Sequence, residues 1–322
     1  MSNTRPFKPA WWLPGAHAQT LWPHLLRRRP KLSLRRERLE LPDGDFLDLD
    51  WTTAPRGPIL LVLHGLEGSI HSPYAAGILR ACHGHGWRAV LMHFRGCSGE
   101  PNRLARGYHS GETGDLHYVA GLLKKREPET PLCAVGYSLG GNVLLKWLGE
   151  RGKTAPLAGA VAVSVPFELG KAADRLEHGF SRLYQWALLR QLRRSMVRKA
   201  RRVPLPIRVD GLRRLKTFRQ FDEHVTAPLH GFRDARDYYT RSSSRRFLRH
   251  IEVPTLILHA RDDPFLAEDA IPRISELSPA VSLDLSSRGG HVGFVTGRLP
   301  GSAGYWLETR IVDYLSGIFR CV

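Results

Sequence analysis

The chain has 322 residues, 42% of them hydrophobic and 24% charged, with 48 Lys and Arg against 30 Asp and Glu for a formal net charge of +18. That balance excludes a disordered chain, a collagen-like repeat and a coiled-coil rod, and the length accommodates one large cored domain or two smaller ones. Four scattered cysteines (Cys82, Cys97, Cys133, Cys321) form no CxxC pair, which argues against a disulfide framework or structural zinc and for free thiols in a reducing compartment.

No stretch reaches the roughly 18 consecutive apolar residues of a membrane-spanning helix. The N-terminal segment from Arg5 to Gly15 lacks the apolar core of a signal peptide. A soluble, cytoplasmic protein is expected.

In chain order, residues 31–52 read as a β-hairpin, with Pro42-Asp43-Gly44-Asp45 turning between Leu39, Leu41 and Phe46, Leu47, Leu49. Asp45, Asp48 and Asp50 are expected to face solvent. Ile59–Leu63 is a continuous apolar run of the kind that forms a buried parallel strand, and further strands are expected at 88–94, 131–137, 157–165, 254–259 and 281–285. Helices are expected at 74–85, 115–125, 142–149 and 305–319; the last places Trp306, Leu307, Ile311, Tyr314, Leu315 and Ile318 on one face. Strands alternating with helices predict a mainly parallel sheet covered on both faces.

The alternation breaks between about Pro166 and Arg249, where the pattern is helical and basic. The expected organisation is a first core part (1–165), a helical insertion capping the strand ends (166–249) and a second core part (250–322). From Arg182 to Arg219 thirteen basic residues meet one acid, Asp210. Such a run suits anionic lipid, nucleic acid or an acidic metabolite. Only nine of the 48 basic residues are lysine, so a general bias toward arginine accounts for the run equally well.

Gly136-Tyr137-Ser138-Leu139-Gly140-Gly141 carries the sharpest chemical signal. A G-x-S-x-G between an apolar strand and an apolar helix puts serine on a tight turn with its hydroxyl above the sheet. Ser138 is therefore the expected nucleophile. It needs a base, and the base needs a carboxylate to orient it, in chain order serine, acid, histidine. Asp262 and Asp263 follow one strand and His291 follows the next, where open α/β sheets bind ligands. His291 is the expected base and either aspartate the acid, with Asp263 favoured and Asp262 then a loop residue that caps or pairs with Arg261. The oxyanion donors are expected to be the backbone N–H of Leu139 and that of Leu66, in His64-Gly65-Leu66-Glu67-Gly68; one such donor lowers the barrier by roughly 3–4 kcal/mol. His64 ranks below His291 as a base. His83 and His85 read as surface residues near a helix end, without a metal-ligand set. No Walker A loop or dinucleotide fingerprint is present.

These residues resemble a known family. The stretches 63–74, 93–100, 108–115 and 136–142, Asp262-Asp263-Pro264-Phe265, Gly290-His291-Val292-Gly293-Phe294 and the N-terminal Pro14-Gly15-Ala16-His17-Ala18-Gln19-Thr20 are similar to those of YheT-type α/β-hydrolases. That group also contains mammalian membrane-bound phospholipase and monoacylglycerol-lipase relatives. The resemblance implies the α/β-hydrolase fold and a Ser-Asp-His carboxylic ester hydrolase, with Ser138, Asp263 and His291 as its triad. The substrate would be a short-chain ester or a monoacylglycerol-like lipid, and no cofactor or metal is implied. The expected partners are thus a small-molecule or lipid ester, with anionic membrane as a second reading and nucleic acid as a remote one.

Overall fold

A computed structural model describes residues 6–28, 30–54 and 56–321. Arg5, the first residue of the segment read for a leader, lies outside the described residues. Eight strands form one sheet: β1 (Leu34–Glu40), β2 (Phe46–Thr52), β3 (Ile59–Leu63), β4 (Arg88–Met92), β5 (Leu132–Tyr137), β6 (Gly159–Val163), β7 (Thr255–Ala260) and β8 (Val281–Ser286). Their spatial order is β1-β2-β4-β3-β5-β6-β7-β8. β1 and β2 form the expected antiparallel hairpin, β2 runs antiparallel to β4, and every other pair is parallel.

The helices follow the apolar patterning. α1 (Ala16–Leu25) precedes the sheet; α2 (Pro73–Gly84), α3 (Gly114–Arg126) and α4 (Leu139–Arg151) alternate with its strands. Between β6 and β7 come only helical elements, chiefly α5 (Leu169–Arg175), α6 (Ser181–Ala200), α7 (Phe218–Phe221), α8 (Ala227–Leu229) and α9 (Ala235–Ser242), with a π-helical turn at Asp222–Thr226. α10 (Trp306–Phe319) closes the chain. α3 and α4 cover one sheet face, where Leu116, Val119, Leu144 and Trp147 pack on Leu61, Val90 and Ile257. α2 and α10 cover the other, where Ile78, Leu79, Ile311 and Leu315 pack on Leu60, Val62 and Val161. With both faces covered, β3 is buried at all five positions, which is why its sequence is continuously apolar rather than alternating. The inserted helices hold their own cluster around Tyr184, Leu189, Phe221 and Tyr238, joined by Leu21, Leu66 and Phe265 from outside the insertion. Among the described residues no helix is long and apolar enough to cross a membrane.

The hairpin aspartates are not solvent-facing, contrary to expectation: Asp45, Asp48 and Asp50 are all buried. The cause is cross-strand pairing. Arg36 stands opposite Asp50 and Arg38 opposite Asp48. Each guanidinium grips its carboxylate with two hydrogen bonds of 2.7–3.0 Å. His93 and Ser98 cover the same carboxylates from the neighbouring strand and loop. Asp45 accepts from Arg95 and from the backbone of Phe46 and Arg103. Arg95 in turn makes a two-point pair with Asp115, in the first turn of α3.

Candidate active site

β3 and β5 are neighbours in the sheet, but the chain leaves them in different directions: β3 is followed by β4 on one side, β5 by β6 on the other. Loops diverge at such a switch point and leave a crevice beyond the strand ends. The His64–Gly68 loop and Ser138 border it.

Ser138 sits between β5 and α4 with φ 51° and ψ −117°, a left-handed conformation that costs a non-glycine residue on the order of 1–3 kcal/mol. Its N–H donates to Val163 O at 2.8 Å, which ties the turn to β6. The flanking glycines are steric requirements. A Cβ on Gly136 would lie 2.4 Å from Gly140 O, and one on Gly140 would lie 2.5 Å from His64 O. Only bare backbone lets α4 start this close to β3 and β5.

β7 and β8 deliver the other two groups. His291 Nε2 is 3.0 Å from Ser138 Oγ, and His291 Nδ1 is 2.8 Å from Asp263 Oδ2. Asp263 is buried, and its second oxygen accepts from Phe265 N at 2.9 Å. Phe265 stacks on the His291 ring, centroids 4.0 Å apart. The structure thus brings Ser138, His291 and Asp263 into one hydrogen-bonded chain. Asp262 lies outside it: its carboxylate accepts from Gly290 N at 2.9 Å and caps the turn before His291, while Arg261 pairs with Glu268 and not with Asp262.

Backbone accounting locates a free donor in the His64–Gly68 loop. Gly65 N donates to Tyr74 Oη, Glu67 N to Tyr108 Oη and Gly68 N to Gly65 O. Among the described residues Leu66 N–H is left over, and Leu66 lines the crevice with Ser138. Leu139 is the first residue of α4, so its N–H has no acceptor within the helix. Two backbone donors beside a nucleophile are what a developing oxyanion requires.

His64 is wholly buried, and burial holds its pKa down to about 3. Its Nδ1–H donates to Gly65 O at 2.7 Å and its Nε2 accepts from Phe94 N at 3.1 Å, so both ring nitrogens serve to shape the loop. His83 and His85 are exposed at the end of α2.

Above these groups lies a cavity of about 440 Å³, within the usual range for small-molecule sites. Ser138, Leu139 and His291 form its floor; Leu188, Leu192 and Met196 of α6, Phe218 and Phe221 of α7, and Leu229 of α8 supply much of its apolar wall.

Comparison with known proteins agrees with this architecture. A sequence model of the alpha/beta hydrolase fold matches residues 58–298. YheT of Escherichia coli (strain K12), named as a candidate esterase, is 46% identical over 98% of this chain and 94% of its own. The chain belongs to the α/β-hydrolase family, on its YheT branch. Phospholipase ABHD3 of Mus musculus is 32% identical over 94% of this chain and 76% of its own. Among solved structures, the Pyrococcus furiosus esterase Pf2001 shares the fold at a TM-score of 0.57 and 15% identity, over 89% of this chain and 92% of that one.

Three supports of this α/β-hydrolase site escape local sequence reasoning. Thr20 on α1 accepts from His291 N at 2.9 Å, and Ser164 accepts from Val292 N at 3.0 Å. A Cβ on Gly290 would lie 2.5 Å from Ala16 O, so the histidine loop packs directly on α1. Tyr108 both accepts Glu67 N–H at 2.8 Å and donates to the Glu67 carboxylate at 3.0 Å, pinning a residue with φ 51° next to Leu66. The one signal that pointed to α1 was the Pro14–Thr20 stretch.

Proposed function

We propose that this protein hydrolyses carboxylic esters through a serine acyl-enzyme. Ser138 Oγ attacks the ester carbonyl as its proton passes to His291 Nε2, and the tetrahedral oxyanion is held by the N–H groups of Leu66 and Leu139. His291 returns the proton to the leaving alcohol. Water then attacks the acyl-enzyme with His291 again as base, releasing the acid and restoring Ser138. Asp263 keeps the Nδ1–H tautomer of His291 and stabilises the imidazolium that forms in each step. The observation that carries this reading is the continuous Asp263–His291–Ser138 hydrogen-bonded chain at the floor of an apolar cavity.

A serine at this turn argues against dehalogenase or epoxide-hydrolase chemistry of the same fold, which would place an aspartate there. The apolar wall of the cavity favours a second reading of the substrate, a monoacylglycerol-like or lysophospholipid ester, over a polar one. Steady-state hydrolysis of a chain-length series of p-nitrophenyl esters tests both levels. Wild type should turn the series over, and Ser138→Ala should lose at least about 10⁴-fold in kcat. Full activity in that variant would refute the serine mechanism, and a profile that falls steadily beyond acetate would refute the lipid reading.

A further inference from the structure

We propose that the outer face of α6 is a docking surface for an anionic lipid bilayer. The helix has two unlike faces. Inward, Leu188, Leu192 and Met196 line the cavity above Ser138. Outward, Leu183, Trp186, Arg190, Arg194, Val197 and Arg201 follow one another at intervals of three or four, so they form one stripe along the helix and its cap. All six are exposed, with Leu183 at 56% and Trp186 at 57%. Arg190 lies over the Trp186 ring at 5.4 Å.

The charge of this face is not neutralised by the protein. α6 itself contains six basic residues and no acid. Among the described residues, Arg190, Arg194 and Arg201 make no ion pair, whereas Arg36, Arg38, Arg88, Arg95 and Arg103 beside the sheet do, as do Arg202, Arg219 and Arg245 elsewhere in the insertion.

The residue types also choose between two polyanions. A nucleic-acid duplex would engage the cations and leave Leu183, Trp186 and Val197 in water. A bilayer accommodates both, with arginines among the headgroups and tryptophan at the boundary with the acyl chains. α1 meets the start of this helix. His17 packs on Phe180 at the start of α6, His24 lines the cavity, and the exposed Leu25 and Leu26 come next. A lipid drawn from the bilayer would therefore enter beside α6; that delivery role rests on the ester-hydrolase reading, whereas the docking itself does not.

Co-sedimentation with vesicles reads binding without turnover, so docking and catalysis can fail separately. Wild type should bind vesicles of phosphatidylglycerol and phosphatidylcholine in equal parts, bind pure phosphatidylcholine far less, and dissociate as salt is raised. Arg190→Gln/Arg194→Gln/Arg201→Gln should bind the mixed vesicles roughly a hundredfold more weakly, at about a fivefold loss per arginine. The same loss of charge elsewhere on the surface, Arg35→Gln/Lys125→Gln/Arg320→Gln, should bind as wild type. Leu183→Ser/Trp186→Ser should weaken binding at every salt concentration. Thermal unfolding of each variant checks that it is folded. The proposal is overturned by absent binding, by equal binding to both vesicle types, by equal weakening in both charge-loss variants, or by a preference for duplex DNA over the mixed vesicles.

Discussion

In the first hairpin and the loops beside it, Arg36, Arg38 and Arg95 each lie against a carboxylate within 3 Å. On α6 and its cap, Arg190, Arg194 and Arg201 lie against none among the described residues. Strand register places an aspartate directly opposite Arg36 and Arg38, and Arg95 reaches Asp45 and Asp115 from the loop after β4. The second stands on a helix with no acid at all. Composition alone makes the two groups look alike; what separates them is a partner, a buried carboxylate against each arginine of the first group and none against the second. Burial enforces the difference, because an unpaired ion inside the core costs several kcal/mol and one at the surface costs little.

This contrast is open to direct attack, beginning where a buried charge meets the proposed chemistry. Asp263→Asn should lower kcat by about 10⁴-fold with the fold intact by circular dichroism. Asp262→Asn keeps an acceptor for Gly290 N–H and should change kcat by less than about tenfold. Reversed effects would exchange the roles of the two aspartates. Next, Arg95→Met leaves Asp45 and Asp115 buried without their cation and should cost about 3–5 kcal/mol in urea unfolding. Arg194→Gln should stay within about 0.5 kcal/mol of wild type. Equal costs would erase the distinction between the regions.

Lys199 bridges the two. It stands on α6 but is buried, and its Nζ donates to Asn102 Oδ1 at 2.8 Å and Arg106 O at 2.7 Å. Burial lowers its pKa from 10.5 to about 8. Across that window the unfolded chain holds the proton and the folded chain has released it, so stability should rise with pH, by on the order of 3 kcal/mol. Lys199→Met should flatten that rise in urea titrations at stepped pH. A further test is Tyr108→Phe, which leaves Glu67 N–H without its acceptor. It should lower kcat about tenfold, with KM within about twofold, if Glu67 fixes the neighbouring Leu66 donor. A change in KM alone would instead make Tyr108 a binding residue.

What could be read from the sequence follows from the range of the interactions involved. Strand β3 and the G-x-S-x-G turn are written locally, in an unbroken apolar run and in two glycines whose absent Cβ atoms let α4 approach the sheet. Chain order after β7 and β8 was enough to nominate His291 and either aspartate, with Asp263 favoured and then implied by the family resemblance. The hairpin aspartates were misread because strand alternation gives a face but not what covers it, and here the covering groups arrive from residues 93–103. Thr20 and Tyr108 lie in stretches that carry the family resemblance, but their contacts were not legible for a related reason. Thr20 meets His291 across 271 residues, and Tyr108 meets Glu67 across 41, with no local pattern to announce either contact.

The most direct test of the central claim is the intact mass of the folded protein after exposure to a fluorophosphonate probe, with Ser138→Ala alongside. An activated Ser138 predicts a single adduct on wild type and none on the variant. An unlabelled wild type, or an adduct that persists in Ser138→Ala, would contradict it.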